Sequence, residues 1–229
     1  MKSFINYIEE GVNDPAIFKA VFMAGGPGSG KSFMVGKTAL PALGMRIISS
    51  DTFFERQLEK AGLEPTPENI FSPKGQELRG LAKKLTKKQQ EIALNGRLGL
   101  VIDGTGKNHE RIRTQKVALE KLGYETMMIF VNTNIETAIN RNRMRKRKLA
   151  DDAVKKMWHE VQDNMGKFQT TFGNRFVIVD NSEGTNYKTA TMAAYKKASQ
   201  WTRREPGTNK ARNWIEAQKK SRGIRKGRM

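Results

Sequence analysis

The segment Gly25-Gly26-Pro27-Gly28-Ser29-Gly30-Lys31-Ser32 decides the fold of this 229-residue chain. It satisfies the G-x-x-x-x-G-K-[ST] pattern, in which glycines let successive backbone N–H groups curl around phosphate groups. The apolar run Ala20–Ala24 precedes it and a helical pattern follows it, so the flanks are the strand and the helix that the pattern requires. The alternative is an ordinary glycine-rich turn, for which the pattern and both flanks would have to coincide.

Five short apolar runs are spaced along the chain and end in turn-forming or acidic residues. They cover residues 20–24, 45–49, 98–102, 126–131 and 176–179. Helical patterns lie between them, and strands that alternate with helices form a mainly parallel sheet that is covered on both faces. The sequence therefore predicts an α/β fold, the three-layer sandwich of P-loop NTPases, with a five-stranded sheet and a helical lid.

The glycine-rich segment predicts a nucleotide site. Lys31 is expected to reach the β- and γ-phosphates of ATP, and the Ser32 hydroxyl is expected to bind Mg²⁺. The helix that begins near Lys31 adds the positive end of its dipole. The residues expected to contact the nucleotide are Gly26, Pro27, Gly28, Ser29, Gly30, Lys31, Ser32 and Phe33.

Two carboxylates follow predicted strands, at the sheet edge where ligands bind in such folds. Asp51 is either a base that accepts the proton of an attacking hydroxyl or the N-cap of the next helix. Asp103 ends the third run, where an acid of this kind holds Mg²⁺ directly or through water. Gly104 stands where many ATP-hydrolysing motors have a catalytic Glu, which favours phosphoryl transfer over hydrolysis. Thr105 either positions the acceptor or forms the turn.

Together these motifs resemble the zeta-toxin and polynucleotide-kinase group of P-loop kinases. The resemblance rests on the phosphate loop at 25–32, Ser-Asp at 50–51, Ile-Asp-Gly-Thr-Gly at 102–106 and Leu-Gly-Tyr-Glu-Thr at 122–126, and it covers residues 18 to 181. It implies that Asp51 activates the acceptor hydroxyl. The group often carries Glu where this chain has Asp103. Its members phosphorylate nucleic-acid ends, nucleotide sugars and other small hydroxyl compounds, so the resemblance implies a reaction class rather than a substrate.

A strongly basic run, Asn140–Lys148, follows the fourth apolar run. Because it is basic on every helical face, it cannot pack into an apolar core, and it is either a phosphate-binding lid over residues 141–150 or a solvated helix. In one continuous helix, Arg141, Arg145 and Lys148 share one face, and Arg143 and Arg147 share another.

The predicted site combines these segments. The expected catalytic residues are Lys31, Asp51, Arg141 and Arg145; the expected acceptor contacts are Asp51, Arg56, Thr105 and Arg143; the expected metal ligands are Ser32 and Asp103.

The charge of the chain predicts a polyanionic partner. There are 42 Lys and Arg residues against 23 Asp and Glu, a formal net charge of +19, which is more than solubility requires. The absence of cysteine excludes disulfides, Cys-ligated zinc and a thiol nucleophile. With no signal-like or membrane-spanning segment, we expect a soluble cytoplasmic protein.

Residues 1–204 are expected to form the kinase domain. Residues 205–229 are basic and poor in apolar side chains, so they predict a flexible tail that either contacts nucleic acid or only adds solubility. In or near this tail, Trp214 is a candidate for stacking on bases.

Three functions follow from the sequence. The first is an ATP-dependent kinase that phosphorylates a hydroxyl of DNA or RNA, at a 5′ end or on a hydroxyl-bearing modified base, with the lid and tail contacting the nucleic acid. The second is a zeta-like kinase of a nucleotide sugar or another small metabolite. The third is a nucleic-acid-binding ATPase that uses ATP as a switch.

Overall fold

The computed structural model describes residues 11–37, 40–145 and 148–221. Its strands are β1 (Lys19–Ala24), β2 (Arg46–Ile48), β3 (Leu100–Asp103), β4 (Glu125–Asn132) and β5 (Phe176–Asp180). They form one parallel sheet in the order β2-β3-β1-β4-β5. The predicted five-stranded parallel sheet is confirmed, and its central strand leads into the glycine-rich loop.

Helices surround this sheet. They are α1 (Lys31–Lys37), α2 (Ser50–Lys60), α3 (Pro67–Phe71), α4 (Pro73–Asn95), α5 (His109–Lys121), α6 (Ile135–Arg143), α7 (Asp151–Gln162), α8 (Met165–Phe172), α9 (Tyr187–Thr202) and α10 (Asn209–Ser221). Asn108 and Asn134 cap α5 and α6, because each side chain accepts a backbone N–H of the first turn. Within the described ranges, no helix combines the length and apolarity that crossing a bilayer requires.

Helices cover both faces of the sheet, so every residue of β1 is buried. Side chains alternate between the faces. Phe22 packs in a cluster with Met128 of β4 and Phe168 of α8. Its neighbour Val21 points to the other face and packs in a second cluster, which includes Ala194 of α9. The predicted three-layer arrangement is therefore present.

The helices α2, α3 and the first half of α4 form an arm, residues 50–82. Because α2 begins directly after β2, the arm starts at the carboxyl edge of the sheet. Its helices pack around a hydrophobic cluster that is separate from the two clusters on the sheet. The cluster contains Phe54, Leu58, Ile70, Leu78 and Ala82.

The predicted flexible tail is wrong for the described part of residues 205–229. Residues 209–221 form α10, which packs on the protein through Ala211, Trp214 and Ile215. The Trp214 ring meets the edge of Phe18 at 5.5 Å between centroids. These three apolar side chains share one face of the helix and bury that face. The segment as a whole is polar, so its composition did not indicate a packed helix. Residues 222–229 lie outside the described part of the chain.

A buried ion pair lies at the amino edge of the sheet. Lys19, with 1% of its side chain exposed, bonds to the carboxylate of Glu125, which also accepts a 3.0 Å bond from Arg175. Burial lowers the pKa of Lys19, and the contact with Glu125 opposes this shift. Burial acts to raise the pKa of Glu125, but Lys19 and Arg175 outweigh it, so the pKa lies below its ordinary value.

This pair predicts a large stability effect. Glu125→Gln removes the charge that compensates a buried ammonium group, so we expect the free energy of unfolding to fall by about 3 kcal/mol. Glu77→Gln, which breaks an exposed pair with Lys74, is the matched control and should change it by less than about 0.5 kcal/mol. Urea denaturation measures both, and equal effects of the two variants would contradict the assigned role of Glu125.

Candidate active site

The glycine-rich loop joins β1 to α1 at the carboxyl edge of the sheet, and two of its glycines are required by close neighbours. Gly28 has φ +74° and Gly30 has φ +87°, a region that favours glycine. A Cβ at Gly28 would lie 2.4 Å from the backbone oxygen of Ala138, and one at Gly30 would lie 2.3 Å from Nδ2 of Asn181. The spacing of the motif is therefore matched to the elements packed behind the loop.

Lys31 folds back into this loop. Its Nζ donates to the backbone oxygens of Gly25 at 2.5 Å and Gly26 at 3.4 Å. Burial lowers the pKa of Lys31 and the charge of Arg145 lowers it further, whereas Asp103 and Asp51 oppose the shift. All four charges consequently meet in one region, which links the loop, β3, α2 and the basic segment after α6.

Asp103 ends β3, directly beside Met23 of β1 in the sheet register. Its Oδ2 accepts a 3.2 Å bond from the Ser49 hydroxyl, while its Oδ1 is buried and has no hydrogen-bond partner among the described residues. Burial raises the pKa of this carboxyl and Asp51 raises it further, against the effects of Lys31 and Ser49. A buried carboxylate oxygen without a donor, next to a phosphate loop, is suited to a cation.

Asp51 lies in the first turn of α2 and is exposed. The N-cap residue is Ser49, whose side chain makes no capping bond because it is turned toward Asp103. The alternative that Asp51 caps the helix is therefore wrong. Asp51 instead lies near enough to Lys31 and Asp103 for its charge to raise the pKa of both groups.

The basic segment differs from the expected continuous helix. The helix α6 ends at Arg143, and the chain then turns, since the side chain of Asn142 bonds both to the backbone oxygen of Leu149 at 2.7 Å and to its N–H at 3.1 Å. Asn142 is buried and ties the two ends of the segment together. The predicted shared faces therefore do not extend beyond Arg143, and Arg147 lies outside the described residues.

The three lid arginines that the structure describes have different neighbours. Arg141 lies behind the loop, where its Nη1 donates to the backbone oxygen of Asn181 at 2.8 Å. Arg143 is exposed and pairs with Asp151 at the start of α7, with Nε 3.1 Å from Oδ2. Arg145 is exposed and acts on the pKa of Lys31. Arg141 thus lies next to the loop and Arg145 near Lys31, whereas Arg143 pairs with Asp151.

Three other predicted residues have more peripheral positions. Thr105 is half-buried, and its backbone oxygen accepts the N–H of Gly25 at 3.0 Å, so it forms part of the turn behind the loop. Arg56 is exposed, and five residues along α2 place it about 140° around the helix from Asp51. Phe33 is 53% exposed in the first turn of α1, next to the exposed Ser32.

Comparison with known proteins places this site in a family. The model of a family described as an AAA domain matches residues 21–168, which include the glycine-rich loop, Asp51, Asp103 and the lid arginines. The chain belongs to this AAA domain family. None of the curated proteins matches it in sequence.

Solved structures share the fold of this AAA domain chain at low sequence identity. A putative kinase from Chloroflexus aurantiacus J-10-fl is 12% identical with a TM-score of 0.52, over 80% of this chain and 97% of that one. The PezAT toxin–antitoxin system of Streptococcus pneumoniae is 15% identical with a TM-score of 0.52, over 87% and 95%. A complex of AvrRxo1-ORF1 and ORF2 with ATP is 12% identical with a TM-score of 0.54, over 79% and 63%. The chain therefore has the nucleotide-binding P-loop fold found in kinases.

The residues of this AAA domain fit ATP and Mg²⁺. The loop offers backbone N–H groups and the Lys31 ammonium to phosphates, and Asp103 with the Ser32 hydroxyl offers oxygen ligands to the metal. The described residues contain no group of three or more His, Asp or Glu side chains that could hold a metal alone.

Sequence reasoning missed three residues that contact the loop or the turn behind it. Asn181 follows β5, Trp158 lies on α7 within 4.0 Å of the position of a Gly26 Cβ, and Asn164 donates to the backbone oxygens of Gly106 and Lys107. Asn181 could have been found, because it follows a strand at the carboxyl edge as Asp103 does. Nothing in the sequence indicates that the helix after the lid returns to the loop.

Two substitutions separate nucleotide binding from chemistry. Lys31→Ala removes the ammonium group from the loop, so transfer should fall by at least about 100-fold and ATP binding should weaken.

Asp51→Asn removes the carboxylate that we expect to accept the hydroxyl proton, and it lies outside the loop, so kcat should fall by about 100-fold or more while ATP affinity is retained. Asp152→Asn, with 98% of the Asp152 side chain exposed on α7, is the control. Calorimetry with ATP and a transfer assay test both, and an active Asp51→Asn enzyme would remove Asp51 from the role of base.

Proposed function

We propose that the protein is an ATP-dependent kinase that transfers the γ-phosphoryl group to a hydroxyl of a nucleic acid, at a 5′ end or on a hydroxyl-bearing modified base. The observation that supports this most is the meeting of Lys31, Asp103 and Asp51 at one edge of the sheet. The first two belong to the nucleotide side. The third is an exposed carboxylate that an incoming alcohol can reach.

The proposed reaction is an in-line transfer. The acceptor oxygen attacks the γ-phosphorus, the bond to the β–γ bridging oxygen breaks, ADP leaves, and Asp51 accepts the hydroxyl proton. Lys31 and Arg145 offset the charge of the transferring group from positions near the loop. Mg²⁺, when held by Ser32 and Asp103, neutralises phosphate charge. Gly104 supplies no carboxylate to activate water, which favours transfer over the third possibility, a nucleic-acid-binding ATPase.

Two basic surfaces support a polyanionic acceptor. On the lid, Arg145 and Lys148 are exposed, and Arg145 lies near enough to Lys31 to lower its pKa. At the amino edge, α10 exposes a second group of cations, which consists of Lys210, Arg212, Lys219 and Lys220. The first half of α10 packs at the amino edge, beside Phe18, and the site lies at the other end of β1, a strand of six residues that spans about 20 Å, so an acceptor that uses both surfaces must be extended.

A small hydroxyl compound is the second candidate, and the arm favours it. Glu55, Glu59 and Glu64 contribute to the lining of a cavity of 420 Å³ on the arm. Glu55 and Glu59 continue the helical stripe that begins at Asp51. This acidic side of the arm repels phosphates and suits a neutral acceptor.

A substrate panel distinguishes the candidates. With labelled ATP, we expect label on oligonucleotides that carry a 5′-hydroxyl or a hydroxymethylated base, with a KM that rises steeply with salt, because polyanion binding releases counterions. Label on nucleosides or sugars with a salt-independent KM would support the small acceptor instead. Label found only as inorganic phosphate under all conditions would overturn the kinase proposal.

The length of the acceptor tests the contribution of α10. The double substitution Lys219→Gln and Lys220→Gln should raise the KM of a 40-nucleotide acceptor several-fold and reduce its salt dependence, because it removes two phosphate contacts. A dinucleotide acceptor is too short to span the sheet and should be unaffected. The paired change Lys83→Gln and Lys84→Gln on the exposed face of α4 is the charge-matched control.

A further inference from the structure

Asn181 connects the phosphate loop to the lid. It directly follows β5 and is 6% exposed. Its side-chain Nδ2 donates to the backbone oxygen of Ser29 at 2.8 Å, inside the glycine-rich loop. Its own backbone oxygen accepts from Arg141 Nη1 at 2.8 Å and from the Thr133 hydroxyl at 3.3 Å. One residue therefore contacts the loop, the start of the segment before α6 and the lid arginine.

The side-chain contact constrains the shape of the loop. When the backbone oxygen of Ser29 is held at the rear, the N–H groups of the following residues point to the front, where phosphate is expected. The absence of a side chain at Gly30 is part of the same contact, since a Cβ there would lie 2.3 Å from Nδ2 of Asn181. This hydrogen bond is buried, so its loss removes a donor from a carbonyl with little access to water.

The backbone contact constrains Arg141. The same Gly30 Cβ position lies 4.0 Å from Arg141 Nη1, so the guanidinium group is next to the loop. Only one of its donors is directed to Asn181, and a guanidinium has five. Asn181 thus fixes where this cation lies without consuming its capacity to bind phosphate.

We propose that Asn181 is a positioning residue that sets the phosphate loop and Arg141 in register with each other, so that nucleotide binding and lid placement are coupled through it. The proposal rests on ATP binding at the loop, as in the proposed function, but it does not depend on the identity of the acceptor.

The first test measures ATP binding without any acceptor. Asn181→Ala removes the donor to Ser29, and we expect the Kd of Mg·ATP to rise about tenfold. Asn181→Asp places a carboxylate against the Ser29 carbonyl and near the phosphates, so its effect should be larger. Asn174→Ala and Asn174→Asp, at an exposed asparagine shortly before β5, are the matched controls and should leave the Kd unchanged. If Asn181→Asp does not fold, Asn181→Ala provides the test alone.

The second test asks whether the two contacts are coupled. Arg141→Met should weaken ATP binding in the wild-type background and weaken it by a clearly smaller factor in the Asn181→Ala background. The loop is then no longer held in register with the guanidinium, whose own bond to the backbone oxygen of residue 181 remains. If the Kd of the double variant rises by the product of the two single-variant factors, the coupling between Asn181 and Arg141 is contradicted. The free energy of unfolding is measured on the same proteins without nucleotide. If it falls while the Kd of Mg·ATP for the folded protein is unchanged, the role of Asn181 is only structural.

The outcomes separate the two levels of the proposal. A wild-type protein that does not bind Mg·ATP would overturn the proposed function together with this inference. A wild-type protein that binds Mg·ATP, with Asn181 variants that bind it equally well, would overturn only the role of Asn181. A higher Kd of Mg·ATP in the Asn181 variants, with the KM for the acceptor unchanged, would support the role of Asn181.

Discussion

The partial burial of Lys31 and Asp103 at the carboxyl edge of the two central strands is the constraint on which the rest of the site depends. Charges that are withdrawn from water need partners that compensate the lost hydration. Here the ammonium is compensated by backbone oxygens of the loop and by the Asp103 carboxylate, while that carboxylate receives only Ser49 as a direct donor. The arrangement retains a carboxylate oxygen with no protein donor among the described residues, a feature that a purely structural ion pair would not need.

The elements behind the loop form one group of contacts, and the arm forms another. Ala138 of α6, Trp158 of α7 and Asn181 after β5 all approach loop glycines, so the nucleotide side includes both ends of the lid. The arm packs around its own hydrophobic cluster and reaches the site through Asp51, directly after the N-cap Ser49, which bonds to Asp103. The shape of the acceptor side can therefore change without disturbing the contacts that hold the loop.

The sequence was sufficient to predict those parts of the molecule in which local pattern and structure coincide. The five strands are marked by short apolar runs, and the loop by a spacing that few other structures require. The helical lid was less predictable, because the turn after Arg143 depends on the side chain of Asn142 bonding seven residues ahead. The helix α10 was missed because three apolar side chains suffice to bury one face, although the segment as a whole is strongly polar. Asn164 and Trp158 depend on tertiary packing alone, which no local pattern records.

The distribution of charge over the surface, rather than the net charge, determines how an acceptor can approach the site. The net charge of +19 does not extend to the arm, where Asp51, Glu55 and Glu59 form one stripe along α2. A polyanion that followed this stripe would be repelled at short range, where salt screens little. A nucleic acid acceptor must therefore approach over the lid and extend only its reacting hydroxyl toward Asp51. The first half of α10 packs at the opposite edge of the sheet, beside Phe18, so among these candidate acceptors its cations have a binding role only if the acceptor is a polymer.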